Sequence, residues 1–174
     1  MTAAKSPTPV PDWLTTAERI AAEIAAEPPE LQRWMCFLLD GAPFAVNVLQ
    51  LREVLPETCI ESVPGAPSEV LGVLNLRGEI VTVLDLRRWL GYVASAAPGP
   101  VLVVEHGGHS LALRVDAVGA LLKRMPDDLL APAPADPVAD GRRVALSCGR
   151  TEAAGQTLTL LDFAALLTPA AQGG

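Results

Sequence analysis

The chain has 174 residues, half of them apolar and 19% charged, with a formal net charge of −7. That length suits one domain or two very small lobes with a real core, and the composition is too apolar for disorder. The acidic balance excludes the basic footprint that nucleic acid or an anionic membrane surface requires. No stretch approaches 18 uninterrupted apolar residues, so direct membrane insertion is not expected, and the chain reads as cytoplasmic.

Residues 1–11 carry three prolines and read as a tail. Trp13, Ala17, Ile20, Ala21 and Ile24 then fall on one helical face. Thr15 and Glu18 have capping-box spacing, and Pro28-Pro29 ends the helix. Residues 34–39 form a continuous apolar run, as in a strand buried on both faces, and 44–48 return after the turn Asp40-Gly41-Ala42-Pro43. Residues 49–55 mix Leu51, Val54 and Leu55 with Arg52 and Glu53, and 58–63 is a further strand candidate.

The strongest local signals lie in VPGAPSEVLGVLNLRGEIVTVLDLRRWLG, residues 63–91. A proline-rich turn leads into an apolar strand over 70–76. Arg77-Gly78 reverses the chain, and a β-branched strand returns over 80–84. Asp85 stands at a helix N-cap before Leu86, Trp89 and Leu90, and Gly91 closes that helix. Arg77 is a cation at the tip of core-like strands. It must be exposed or paired, either as a solubilising turn residue or as a side chain presented at the mouth of a groove.

After an Ala-, Pro- and Gly-rich linker over 93–100, strands are expected at 101–104 and 110–115, joined through Gly107-Gly108. Residues 116–122 follow, then a Pro-rich loop over 125–140. The last strands are expected at 142–148 and 157–161, and Asp162 caps a short helix over 163–167. Two stretches echo each other: Val83-Leu84-Asp85-Leu86 with Leu90, and Leu160-Leu161-Asp162-Phe163 with Leu167. Each half carries about five short strands. The fold class is therefore mainly β: two packed, small five-stranded barrels with short helices, after an N-terminal helical extension.

The central run resembles the core signature of CheW-like domains, the coupling proteins of bacterial chemosensory arrays. Gly72, Val73, Asn75, Arg77, Gly78, Asp85, Leu86 and Arg87 fall on its pattern. Thr82 departs from it, since many members carry proline there. The resemblance covers roughly 34–168 and implies two SH3-like lobes, about 34–91 and 101–168, with strands able to cross between them; residues 1–33 lie outside it. It also implies a non-enzymatic adaptor that couples the cytoplasmic tips of methyl-accepting chemoreceptors to the regulatory domain of a CheA-like histidine kinase. Such an adaptor would also pair with other CheW-like domains in rings, at membrane-associated receptor arrays. Arg77 matches the arginine used in coupling, and Leu51, Arg52, Glu53 and Val54 match a partner-contact segment. A receptor groove between the lobes would be lined from the strands carrying Val103 and Leu113. Arg114 departs from the apolar or small residue usual there, either because it pairs with an acid or because it alters receptor choice. Alternatives within the family are an adaptor for type IV pili or another non-flagellar pathway, and an accessory array-positioning protein.

Enzyme chemistry finds less support. Asp85 and Asp162 supply one acid per half, as in a two-lobed hydrolase. However, neither is followed by the Thr-Gly or Ser-Gly that lets two such loops approach, and helix capping explains both. His106 and His109 have H-x-x-H spacing, but they sit in a Gly-Gly turn without a third ligand. Cys36, Cys59 and Cys148 form no C-x-x-C, and each reads as a small buried hydrophobe. No cofactor is expected.

Overall fold

The structure, a computed structural model, describes residues 30–131 and 147–164. Its strands are β1 (Gln32–Leu39), β2 (Ala42–Asn47), β3 (Leu51–Leu55), β4 (Val70–Leu76), β5 (Glu79–Asp85), β6 (Val101–His106), β7 (His109–Arg114), β8 (Ala117–Arg124), β9 (Ser147–Ala153) and β10 (Gln156–Leu161). One short helix, α1 (Leu86–Trp89), follows β5. A 3-10 turn, Val48–Gln50, joins β2 to β3.

Four hairpins supply most of the local structure. Their turns are Asp40-Gly41, Arg77-Gly78, Gly107-Gly108 and Ala154-Gly155, and both residues of each have positive φ. This geometry matches the twist of the flanking strands. Glycine adopts it freely, whereas Arg77 (φ 53°) and Ala154 (φ 51°) adopt it at a cost.

The hairpins assemble into two five-stranded sheets, in the orders β8-β1-β2-β10-β9 and β3-β6-β7-β5-β4. The strands cross between the lobes, as the resemblance allowed, so neither sheet is confined to 34–91 or to 101–168. β1 and β2 belong with the last three strands, and β3–β5 belong with β6 and β7. The crossing is nearly complete because the two halves of the sequence are repeats that exchange strands. β1–β5 corresponds to β6–β10, and each lobe takes its leading hairpin from one repeat and its remaining strands from the other. Equivalent positions keep a constant spacing along the chain: Gly72 with Gly149, Arg77-Gly78 with Ala154-Gly155, Asp85 with Asp162, Leu86 with Phe163. In each lobe one parallel pair joins the two contributions, β5 with β7 and β10 with β2.

Three apolar clusters hold this arrangement. Phe37, Leu39, Phe44 and Val46 from one sheet meet Leu84, Leu102, Val104 and Leu113 from the other in a shared core, closed by Leu86, Leu90 and Phe163. The second lobe has its own interior of Leu74, Leu76, Val81, Val83, Val101, Val103 and Ala112. The first lobe's interior is smaller, built on Trp34, Ala45, Leu158 and Leu160. Strand β6 serves two cores at once, with Val101 and Val103 facing the lobe interior and Leu102 and Val104 facing the shared core. That explains its unbroken apolar run.

Each barrel is closed by a single bridge rather than a further strand. Glu61 pairs with Val73, and Leu130 pairs with Arg150. The strand expected over 58–63 is reduced to that bridge. The approach is tight enough to require glycine, because a Cβ on Gly72 would lie 2.0 Å from the Glu61 carbonyl oxygen, at φ +147°. Of the strand expected over 142–148, Ser147 and Cys148 fall in β9, which runs on to Ala153, and residues 142–146 lie outside the described residues. Also outside them lie the N-terminal helix, most of the Pro-rich loop, and the last helix beyond Ala164. The cysteines correct another expectation: Cys59 and Cys148 are exposed and Cys36 is half-buried. Burial pushes the Cys36 thiol above its ordinary pKa, against the pull of Arg124.

Two substitutions test this backbone account by thermal unfolding. Gly72→Ala forces the Glu61 bridge apart and should lower stability by roughly 3 kcal/mol. Ala154→Gly relieves a left-handed residue and should leave stability unchanged or raise it by up to about 1 kcal/mol.

Candidate functional site

β3 is the edge strand on which the sequence placed its contact segment. A bulge between Leu51 and Glu53 shifts its register against β6. Leu51 therefore packs toward the shared core and Leu55 toward the lobe interior, although four residues separate them. Arg52 and Val54 face outward. The barrel's curl brings the β4–β5 turn round to the same edge, so that Arg77 donates to Glu53 across 2.9 Å. Arg77 remains 78% exposed in its side chain. The Asn75 carboxamide oxygen accepts from the Gly78 amide at 2.7 Å and holds the turn that presents it.

Arg52 forms a second node. It donates to Glu79 at 2.6 Å and to Ser110 at 2.8 Å, and Glu105 lies at 3.5 Å. Its hydrogen bond holds the Glu79 carboxyl below the usual carboxylate range. Arg52, Glu53, Arg77, Glu79 and Glu105 thus form an ordered charged seam. Exposed apolar side chains accompany it: Val54 on β3, Ile80 on β5 and Leu49 on the 3-10 turn. Leu49 is 93% exposed and, with Gln50, borders two shallow hollows. One hollow continues along Leu51, Arg52 and the β6–β7 turn, the other along Trp34, Cys148 and Asp162.

Of the residues expected at a partner face, Leu51, Arg52, Glu53, Val54 and Arg77 come together. Val103 and Leu113 do not. Both are fully buried, one in the lobe interior and one in the shared core, so they line no groove. Ile80 and Leu49 were missed. The alternation of exposed Ile80 and Thr82 with buried Val81 and Val83 was readable, and it would have turned Ile80 outward.

A partly buried ion network gathers where β5 passes into α1. Asp85 is 1% exposed; it accepts from the amides of Arg87 and Arg88 and caps α1. The same carboxylate takes a 2.7 Å hydrogen bond from Arg114, which also donates to the Ser95 carbonyl. Arg114 is therefore paired with an acid, the first of the two explanations for its departure. Arg87 clamps Asp116 through two bonds of 2.6 and 2.5 Å and reaches Asp40 in the β1–β2 turn at 3.2 Å. The Asp40 amide in turn donates to Asp116. Burial alone would push Asp116 upward, but the bonds from Arg87 and from that amide outweigh it and hold its carboxyl below the usual range. On the other lobe, Asp162 accepts from Gln50 and from the Ala164 amide. Asp85 and Asp162 thus serve as caps on separate lobes. His106 and His109 face each other across the β6–β7 turn, and among the described residues no group of three ligand-type side chains gathers. No helix of the described residues is long and apolar enough to cross a membrane.

The seam is an exposed, ordered patch on a two-lobed β scaffold, and comparison with known proteins gives the family. A family model of CheW-like domains matches residues 33–171, and the chain belongs to that family. It is 30% identical over 102 residues to the probable chemotaxis protein CheW of Rhizobium etli, covering 58% of this chain and 65% of that protein. It is 35% identical over 104 residues to the protein PilI of Pseudomonas aeruginosa, covering 58% of each. The chain therefore spans less than two thirds of these relatives. The crystal structure of the scaffolding protein TtCheW from Thermoanaerobacter tengcongensis shares the fold, with a TM-score of 0.71 and 22% identity over 80% of this chain and 94% of that one.

The ion network yields two expected outcomes. Asparagine caps a helix about as well as aspartate, so Asp85→Asn keeps the cap of α1. The substitution strips Arg114 of its acid in a half-buried setting, so the loss on denaturant unfolding should reach roughly 3 kcal/mol. Asp116 has a depressed folded-state pKa, so its contribution is present above the ordinary aspartate pKa and is lost as pH falls through the folded value. Asp116→Asn should therefore be less stable than wild type at neutral pH, with the gap narrowing as both are titrated below pH 4.

Proposed function

We propose that this protein is a non-enzymatic adaptor that couples the cytoplasmic tips of methyl-accepting chemoreceptors to the regulatory domain of a CheA-type histidine kinase. Membership of the CheW-like family and the printed names of its chemotaxis relatives support the reading. The observation that carries it is the seam where Glu53 and Arg77, separated in sequence, meet on an exposed edge beside Val54 and Ile80. A surface of this kind suits modest, reversible contacts, which an array multiplies through avidity. The adaptor would act in the cytoplasm at membrane-associated arrays, alongside other CheW-like domains. The likeness to PilI supports a second reading, in which the same module serves a type IV pilus or other non-flagellar pathway.

Binding to the regulatory domain of a CheA-type kinase from the same genome tests the proposal. Glu53→Ala and Arg77→Glu should each weaken binding tenfold or more, about 1.4 kcal/mol. The reversed pair, Glu53→Arg with Arg77→Glu, restores the internal salt bridge and should still bind weakly. Full binding by the reversed pair would make the seam merely structural. Wild-type protein that enters no complex with kinase and receptor fragments, and leaves kinase activity unchanged, would end the adaptor reading.

A further inference from the structure

The strand pairings divide sharply between the halves of the chain. Within β1–β5 the paired strands are the hairpins β1–β2 and β4–β5; within β6–β10 they are β6–β7 and β9–β10. Every pairing that joins hairpins into sheets, among the described residues, runs between the halves: β1 with β8, β2 with β10, β3 with β6, and β5 with β7. Within a half, only the single bridges Glu61–Val73 and Leu130–Arg150 add to the hairpins. Polar contacts occur both within the halves, as in Arg77 with Glu53, Arg52 with Glu79 and Arg124 with Thr151, and between them. Those that join the halves are Arg87 with Asp116, Arg114 with Asp85, Arg52 with Ser110 and Gln50 with Asp162. A lone hairpin is marginally stable in water, so neither half holds a sheet of its own. Each half is a binding surface for the other.

We propose that this surface accepts the complementary half of a second copy of the chain, with residues 93–99 as the hinge. Reciprocal exchange would rebuild both two-lobed units with every strand pairing kept, and only the hinge would change conformation. The hinge suits this. It has no regular structure and is largely exposed. Pro98 and Pro100 bias Ala97 and Gly99 toward extended backbone. The carbonyls of Val93 and Ser95 accept from Arg87 and Arg114, and within the hinge the Ala97 amide donates to the Ser95 hydroxyl. Extended, such a segment reaches more than 20 Å. Tyr92, just before it, stays with its own half, edge-on to Phe44. The exchanged dimer would carry two copies of the Glu53–Arg77 seam on one particle.

The test uses the full chain with exposed Cys59 and Cys148 changed to serine, and with Arg33→Cys and Lys123→Cys added. Arg33 on β1 lies directly opposite Lys123 on β8, one from each half. The protein is refolded under reducing conditions at a series of concentrations, separated by size-exclusion with light scattering, oxidised, and run on a non-reducing denaturing gel. Exchange is bimolecular and closure unimolecular, so a tenfold rise in refolding concentration should raise the dimer-to-monomer ratio roughly tenfold. The dimer peak should run as a covalent dimer and the monomer peak as an internally linked single chain. A dimer peak that runs as single chains, or no dimer at any concentration, overturns the proposal. A variant of the natural sequence lacking residues 94–97 gives a second measurement. Shortening the hinge should shift the population toward dimer at least tenfold, and an unchanged monomer counts against exchange.

Discussion

The structure depends on the segment Asp85-Leu86-Arg87, where the parallel ladder of the second lobe ends. One carboxylate caps a helix and neutralises Arg114. The next residue is buried in the shared core. The third reaches out of the lobe to clamp Asp116 and Asp40. A buried acid of this kind is stable only while its partners stay in place, which fixes the positions of three elements at once. The corresponding segment in the other lobe, Asp162-Phe163-Ala164, repeats the cap and the buried residue but replaces the arginine contact with Gln50. The lobes are alike in backbone and unlike in charge.

That asymmetry extends to the surface. The same left-handed turn carries Arg77 in one lobe and Ala154 in the other. Among the described residues, the ordered seam of Arg52, Glu53, Arg77 and Glu79 is confined to the second lobe. The repeats supply two equivalent edges, and side-chain chemistry makes one of them a charged seam. The hydrogen bonds among these residues hold them in place before a partner arrives, so less side-chain freedom is lost on binding.

Much of this was legible wherever the determinants are local. The hairpin over residues 70–85, the cap at Asp85, the stop at Gly91 and the paired or exposed state of Arg77 all follow from turn chemistry and spacing within a few residues. The strand partners were not, because register depends on residues far away in the chain. The echo between Val83-Leu84-Asp85-Leu86 and Leu160-Leu161-Asp162-Phe163 disclosed two repeats but gave no sign that they trade strands. Val103 and Leu113 looked available because an apolar strand reads the same whether it lines a groove or separates two cores. Here both sides of β6 and β7 are covered, so no face was left for a partner. Cys59 and Cys148 failed for a similar reason: their residue type favours burial, but one sits in the irregular stretch after β3 and the other on the edge strand β9.

The parallel pairing of β2 with β10 has a consequence during synthesis. A ribosome completes β2 when residue 47 is made, yet its partner ends at residue 161. At typical elongation rates, β2 waits on the order of ten seconds for β10. During that interval the nascent chain presents an apolar hairpin, carrying Phe37, Phe44 and Val46, with its outer strand edges open. The first lobe therefore cannot close vectorially from the N-terminus, and its leading hairpin keeps an apolar face uncovered until the second repeat has been made.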